Sequence, residues 1–400
     1  MLTHPGKSLG AVAGLALVAT ACLAARPRGV DAPAGGNRAV VTITATASML
    51  RVPRSFFGLS TEYSELPAYE RQLSIFERVL ALLRVRDGAP LILRIGGDSA
   101  DKTYWNPVSR RLPPGSFVLT PGWFRQTGKL LGQLRLRAIL DLNLAARSPY
   151  MAVALARAAL GYLPAGTIAG FEIGNEPDRF GHGYSTNQYA AEFRAYARAL
   201  NRVAPRIPLM GPAITSTASN FNWLEGVVAG DRAELGVLTG HRYSLSACAD
   251  PDSPLYPTIA RVLSDSTSVV MARSVKPAVR LAHQSGRPFR LDEANSVTCG
   301  GLAGVSDTFA TALWAPDALS EVLSTGADGV NVHIRPGKVN APFLVNPRGL
   351  TARPLLYGLI LFARTLGLGE RLVRLGVRAP RSAHLDAWGF RDAETDCTSY

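Results

Sequence analysis

Gly170-Phe171-Glu172-Ile173-Gly174-Asn175-Glu176-Pro177 begins as a short apolar run and ends on Asn-Glu-Pro. A run of this length bounded by Gly and Pro reads as a strand, which leaves Glu176 at the strand's end. The same pattern repeats outward in both directions. Strands are expected at Phe57 to Ser60, Leu91 to Ile95, Ala138 to Leu142, Gly170 to Ile173, Leu209 to Gly211, Gly236 to Thr239, Phe289 to Leu291 and Val330 to His333. Between them, stretches of helical periodicity run over Leu73 to Arg84, Phe124 to Leu134, Met151 to Leu163, Tyr189 to Val203, Trp223 to Val228, Val269 to Gln284, Thr308 to Leu323 and Leu355 to Thr365. Strand alternating with helix eight times predicts an α/β fold, a parallel sheet closed into a (β/α)8 TIM barrel.

Several of these strands end in polar clusters: Glu62-Tyr63, Arg94 to Asp98, Asn143, Asn175-Glu176, His241 to Tyr243, Asp292 to Asn295 and His333. In such a barrel these ends meet at one mouth, where catalytic groups sit. One charged residue at a strand end merely marks where the chain enters solvent. Its recurrence at strand after strand is a functional signal.

The bulk properties set limits on the rest. Four hundred residues with 47% hydrophobic content are enough for a barrel and a small appendage. The net charge of +13 is carried mostly by arginines scattered along the chain, which reads as a solvated basic surface. Nucleic-acid binding needs basic residues clustered or interleaved with aromatics, and no such run is present. Lys7, the apolar Leu9 to Leu17 and the small Ala19, Ala21 and Ala24 have the layout of a secretory signal over residues 1–28, so a secreted or cell-envelope protein is expected. Cys22 stands in a loose lipoprotein-like box, leaving ordinary cleavage and a lipid anchor both open. Residues 29–38 read as a linker, 39–52 as the first strand of a β-domain, 53–367 as the barrel and 368–400 as a truncated C-terminal β-domain, so the two ends form an incomplete β-sandwich. In that last segment Arg371 to Val377 and His384 to Phe390 read as strands, and the apolar alternation is lost from Asp392 onward.

Glycoside hydrolysis needs one carboxylic acid to protonate the leaving oxygen and a second carboxylate across the anomeric carbon. Glu176 closes the fourth expected strand, and Glu293, at the end of Phe289-Arg290-Leu291-Asp292-Glu293, closes the seventh. Glutamates at these two strand ends resemble the arrangement of clan A glycosidases, which retain anomeric configuration. The stretch from Leu291-Asp292-Glu293-Ala294-Asn295-Ser296 through Cys299-Gly300-Gly301 to Gly304-Val305-Ser306-Asp307-Thr308-Phe309-Ala310-Thr311-Ala312-Leu313-Trp314 is similar to glycoside hydrolase family 79, the family of β-glucuronidases and heparanase. Leu93 to Ser99 and Gly58 to Glu62 are similar to its early strand motifs.

The resemblance implies Glu176 as acid/base, Glu293 as nucleophile, a glucuronide or other uronic-acid glycan as substrate, and no cofactor and no metal. It also implies that Asn175 bonds the sugar 2-hydroxyl and that Glu62 and Asp98 bind other hydroxyls; Asp98 reads equally well as a cap of its own turn. Arg94 and Tyr243 are candidate donors to Glu293, and for Arg94 a plain structural ion pair is the competing reading. Gly300 and Gly301 match the glycine amides that hold the uronate carboxylate in the family, or form an ordinary turn. The family's tyrosine after the eighth strand is absent, and Arg335, Lys338 and Asn340 occupy that loop. The alternatives are a clan A glycosidase acting on neutral sugars and a truncated, inactive sugar-binding protein. Cys248 and Cys299 fall on loops after the neighbouring sixth and seventh strands, where a disulfide is expected, with Cys397 left over; isolated histidines offer no zinc spacing as a rival.

Overall fold

Three consecutive barrel strands place a small or apolar residue low in the barrel and a charged one two residues later: Ile92 and Arg94, Ile139 and Asp141, Gly170 and Glu172. Side chains two apart on a strand share a face, so each pair puts one residue in a lower interior layer and the next in a layer above. The computed structural model describes residues 20–22, 40–43, 50–85, 90–105, 112–181, 183–346, 348–367, 371–373, 375–378, 386–392 and 397–399.

The strands are β1 (Phe57–Glu62), β2 (Ile92–Gly96), β3 (Arg137–Leu142), β4 (Ile168–Ile173), β5 (Leu209–Ile214), β6 (Leu235–Ser246), β7 (Phe289–Thr298) and β8 (Gly329–His333). They pair in parallel and in chain order, and β8 pairs with β1 to close the barrel. The chain is a (β/α)8 barrel. Its helices are α1 (Leu73–Leu82), α2 (Pro121–Leu134), α3 (Pro149–Tyr162), α4 (Thr186–Asn201), α5 (Phe221–Asp231), α6 (Asp265–Gln284), α7 (Phe309–Ser324) and α8 (Pro354–Leu366).

All eight expected strands and eight expected helices are present, with displaced boundaries. Helices α2, α3 and α4 begin two or three residues before the apolar periodicity does, at caps. Thr120 accepts from Trp123 N at 3.1 Å and Ser148 from Met151 N at 3.4 Å, each with Pro next in sequence, and Ser185 with Gln188 forms a capping box. A short polar side chain there satisfies an N–H that the first turn leaves open, and Pro at the next position has no N–H to lose.

Strands β6 and β7 run to 12 and 10 residues, against five or six for the others. They stay paired as far as Ser246 opposite Thr298. Asp292 is an extra residue in β7: Leu291 pairs with Gly240 and Glu293 with His241, so a β-bulge falls between them. A bulge breaks the alternation locally, and the consecutive Asp292 and Glu293 both reach Arg94.

The barrel's floor is an apolar plug of Ile92, Ile139 and Met210. Outside it, helix faces such as Tyr189, Phe193 and Leu200 of α4 bury against the sheet. The segments flanking the barrel form two small sheets. One runs in the order Thr20–Cys22, Cys397–Ser399, Gly389–Arg391, Arg371–Val373, Leu50–Arg51, and the other pairs Val40–Ile43 with Leu375–Arg378. The single strand expected over Arg371 to Val377 is thus two strands in different sheets, and Cys397 stands opposite Cys22 in its ladder. The expected signal and linker lie outside the described residues except for 20–22; of the strand expected over His384 to Phe390, residues 386–390 are described, and only Gly389 and Phe390 lie in a strand. Among the described residues no helix is long and apolar enough to cross a membrane.

Candidate active site

Above the plug lies a fully buried polar layer centred on Arg94. Its Nε is 2.5 Å from Glu172 Oε2 and 3.3 Å from Asp292 Oδ2, and its two terminal nitrogens reach Glu293 Oε2 at 2.9 Å, Asp141 Oδ2 at 3.2 Å and Asn175 Oδ1 at 2.9 Å. A planar guanidinium with five N–H donors suits this many acceptors; a lysine would not. Gly96 makes room, since a Cβ there would lie 2.2 Å from that of Asp141. Both readings of Arg94 hold at once: it bonds Glu293 and anchors the buried carboxylates.

Glu293 accepts from the Tyr243 hydroxyl at 2.7 Å on one oxygen, and has Arg94 at 2.9 Å and His333 Nδ1 at 3.3 Å on the other. Burial pushes its carboxyl up; the nearby His333, His241 and Arg94 charges and the Tyr243 hydroxyl outweigh that and hold it far below the usual carboxylate range. Tyr243 moves the other way. Burial and then the negative charge of Glu293 raise its phenol well above the ordinary value, so it stays a donor.

Glu176 is carried over the end of β4 by Gly174 at φ 79° and its own φ of 47°. Left-handed backbone costs a non-glycine residue on the order of 1 kcal/mol and persists where surroundings enforce it; here Glu176 N–H donates to Ala213 O at 2.9 Å. Its carboxylate meets His241 Nδ1 at 3.1 Å and the Arg179 guanidinium at 3.1 Å. His241 is fully buried, with Asp292 at 3.8 Å from its other nitrogen. Burial alone would favour the neutral ring, but the negative charges of Glu293 and Asp292, with the hydrogen bond it donates to Glu176, raise its pKa well above the ordinary value. Carboxylate oxygens of Glu176 and Glu293 and a ring nitrogen of His241 all lie within 4.8 Å of one another. Among the described residues this is the one group of His, Asp, Glu or Cys close enough to share a metal ion.

Of the remaining expected residues, Glu62, Asp98, Gly300, Cys248 and Cys299 line the same cleft of about 520 Å³, and Asn175 and Gly301 are not part of its lining. Glu62 is buried, accepts from Ser99 N at 2.7 Å and faces His333 at 3.6 Å. Its carboxyl is raised by burial, partly offset by His333. Asp98 is an ion-pair partner, held by Arg335 at 3.2 Å. Asn175 is buried, with Oδ1 bound to Arg94. Cys248 and Cys299 form a disulfide, Cα to Cα 6.0 Å, between the loops that follow β6 and β7. Cys299, Gly300 and Gly301 follow one another at φ 58°, 82° and 87°. Gly300 lines the cleft, and a Cβ on it would strike the Lys338 side chain at 2.9 Å. The Gly301 amide is committed within the turn, donating to Thr298 O at 3.2 Å.

Asp141, Glu172 and Arg179 were not singled out from the sequence, and His241 and Asp292 stood there only as members of polar strand-end clusters, without a role of their own. His241 had a usable signal, because it stands two before Tyr243 on one strand and so shares its face; the same spacing links Ile139 to Asp141. The inward direction of Asp292 had no such signal, since only the bulge turns it inward.

No family model matches the chain, and no curated protein resembles it in sequence. Solved structures do share its fold. A 4-O-α-L-rhamnosyl-β-D-glucuronidase from Fusarium oxysporum 12S matches with TM-score 0.65 at 18% identity, over 83% of this chain and 74% of that one. A family 51 arabinofuranosidase from Xanthomonas axonopodis pv. citri matches with TM-score 0.66 at 14% identity, over 90% and 80%. A monomeric β-xylosidase from Caulobacter crescentus CB15 matches with TM-score 0.58 at 16% identity, over 88% and 75%. All three are glycosidases, and at these identities what they share with this chain is the architecture of the barrel.

Proposed function

We propose that the protein is a retaining glycoside hydrolase that cleaves β-D-glucuronosyl linkages, with Glu293 as nucleophile and Glu176 as general acid and base. One observation carries the reading: two carboxylates from β4 and β7 face each other with oxygens within 4.8 Å. Retaining enzymes hold their carboxyls about 5–5.5 Å apart, whereas inverting ones need about 6.5–9.5 Å to admit a water. Glu293 is kept ionised by its cations and Tyr243, while Glu176 stands at the cleft beside His241, which holds a proton. Glu293 attacks the anomeric carbon as Glu176 protonates the departing oxygen; water activated by Glu176 then releases the sugar. Asn175, its Oδ1 taken by Arg94, keeps its amide N–H2 to donate to the 2-hydroxyl.

Support for a uronic acid comes from the cleft wall. Lys338 lines it with no ion-pair partner among the described residues, and lies across Gly300, which leaves space for it. A neutral sugar is the second reading, favoured by the engaged Gly301 amide and by Arg335, whose charge is balanced by Asp98 and Glu62. The disulfide supports export to an oxidising compartment.

The test pairs chromogenic β-glucuronide with xyloside, glucoside and arabinofuranoside, then incubates the protein with a glucuronic-acid-configured cyclophellitol and maps the label by mass. Label on Glu293 with glucuronide preferred is expected. Label elsewhere overturns the assignment, and preference for a neutral glycoside selects the second reading.

A further inference from the structure

Beneath Glu293 the barrel holds more carboxylate than cation. Asp141, Glu172 and Asp292 are fully buried around one guanidinium, below the layer that can touch a sugar. Glu172 Oε2 and Asp292 Oδ2 converge on the single Nε–H of Arg94, at 2.5 and 3.3 Å. One hydrogen cannot serve both, and two carboxylates sharing a buried site do not both ionise. Three further oxygens, Glu172 Oε1, Asp292 Oδ1 and Asp141 Oδ1, find no hydrogen-bond donor, a cost of about 1–3 kcal/mol each or more for a charged group. A proton resident among them relieves both problems. Without one, Arg94 faces four carboxylates at once.

We propose that Glu172 carries a proton in the resting protein, donates it as a hydrogen bond to Asp292, and thereby leaves Arg94 free to hold Glu293. Glu172 is a positioning residue that acts through Arg94, and its catalytic part rests on the reading of Glu293 as nucleophile. The groups that face it are Arg94 from β2, Asp141 from β3, Asp292 and Arg290 from β7, Tyr189 from α4 and Tyr63 after β1. Of these, Tyr189 and Tyr63 stay neutral because burial raises their phenols. Asp141 is raised by burial ahead of the opposing pull of Arg94. Asp292 is lowered, burial being outweighed by Arg94 and His241. Burial pushes the Glu172 carboxyl up to about 8, so it holds its proton below that pH and loses it above. Ionised Glu172 competes with Glu293 for Arg94, and activity falls.

The test uses the whole protein in a Glu70→Gln background, because the Glu70 carboxyl, outside the site, also titrates at about 7. Infrared spectra are recorded as pH is raised through about 8, with unlabelled and with carboxyl-labelled glutamate. A protonated-carboxyl band that shifts with glutamate labelling, vanishes on the alkaline side and is missing in Glu172→Gln is expected. In parallel, the alkaline limb of kcat/KM in Glu172→Gln moves, because Glu176 alone then sets it, while the acid limb is kept, because the amide stays neutral and still donates to Asp292. A band unaffected by glutamate labelling, or an alkaline limb unchanged in Glu172→Gln, overturns the proposal. The infrared arm requires no turnover, and if Glu172→Gln does not fold, a band that persists in Glu62→Gln, Glu176→Gln and Glu321→Gln is assigned to Glu172, whereas a band lost in one of these overturns the proposal. A band that Glu172→Gln removes, in a protein that hydrolyses no glycoside, removes the glycosidase reading and leaves the proton on Glu172.

Discussion

Arg94 and Glu293 form an ion pair at 2.9 Å in which the guanidinium has no exposed surface and the carboxylate side chain keeps only 11% of its own. Arg94→Ala should therefore damage folding as well as activity, because it strands several buried carboxylates; breaking one buried pair costs about 3–5 kcal/mol. Arg94→Lys keeps the charge but not the fork. We expect it to fold with a lower Tm and with kcat reduced at least as much as KM is raised, measured by thermal melts and steady-state kinetics. A melt and a kcat equal to the parent's would show that the fork has no role.

Tyr243→Phe removes a 2.7 Å hydrogen bond to Glu293 and little else. Hydrogen bonds to charged groups contribute about 1.5–3 kcal/mol, so kcat/KM should fall by about 10- to 100-fold. The sign of the pH effect is fixed too. Glu293 acts as a carboxylate, and the hydroxyl helps keep its pKa low. Losing the hydroxyl raises that pKa, and the acid limb of the rate profile moves to higher pH.

The Cys248–Cys299 bridge closes a loop of 51 residues in sequence separation, a span for which chain entropy gives about 4 kcal/mol. Cys248→Ser with Cys299→Ser should melt several degrees lower. Since the bridge also holds the turn bearing Gly300, KM should rise by a larger factor than kcat falls, and Gly300→Ala, which places a side chain at φ 82° and against Lys338, should raise KM and lower melting by less than loss of the bridge does.

Glu70 lies away from the cleft and accepts from Thr127 Oγ1 at 2.9 Å. Burial raises its carboxyl from 4.5 to about 7. A raised carboxyl binds its proton more tightly in the folded state, so its contribution is full below 4.5 and is lost as pH rises to about 7. Glu70→Gln has no such loss. It should melt higher than the parent at alkaline pH, by an amount on the order of 1–3 kcal/mol, and no higher at acid pH. Equal gains at both pH values would point to packing instead.

Much of this molecule is written in short-range pattern. The alternation of apolar runs sufficed for the barrel because each strand and helix is long enough to show its period, and Asn175-Glu176 and Glu293 could be paired because strand number fixes position around the mouth. The caps at Thr120, Ser148 and Ser185 were legible but outweighed by the apolar period that begins after them. What could not be read is what depends on cross-strand register. The bulge at Asp292 is set by pairing with Gly240 and His241, far away in sequence, and the convergence of Asp141, Glu172 and Asp292 on Arg94 follows only once the ring closes. The commitment of the Gly301 amide to Thr298 is likewise a property of the folded turn.

The unequal strand lengths have a mechanical outcome. Past His241, β6 continues five residues to Ser246, a projection of about 16 Å at the usual rise, with β7 hydrogen-bonded alongside and a covalent staple at its tip. Beside it the loop from Arg335 to Asn340 has no ladder of its own but is tied to this ribbon, the Val339 and Asn340 N–H groups donating to Gly300 O at 2.9 and 3.1 Å and the Asn340 side-chain amide to Val297 O at 2.7 Å. Ribbon and loop thus brace one another into a single wall, so the β6–β7 projection sets the angle at which a ligand entering the cleft lies.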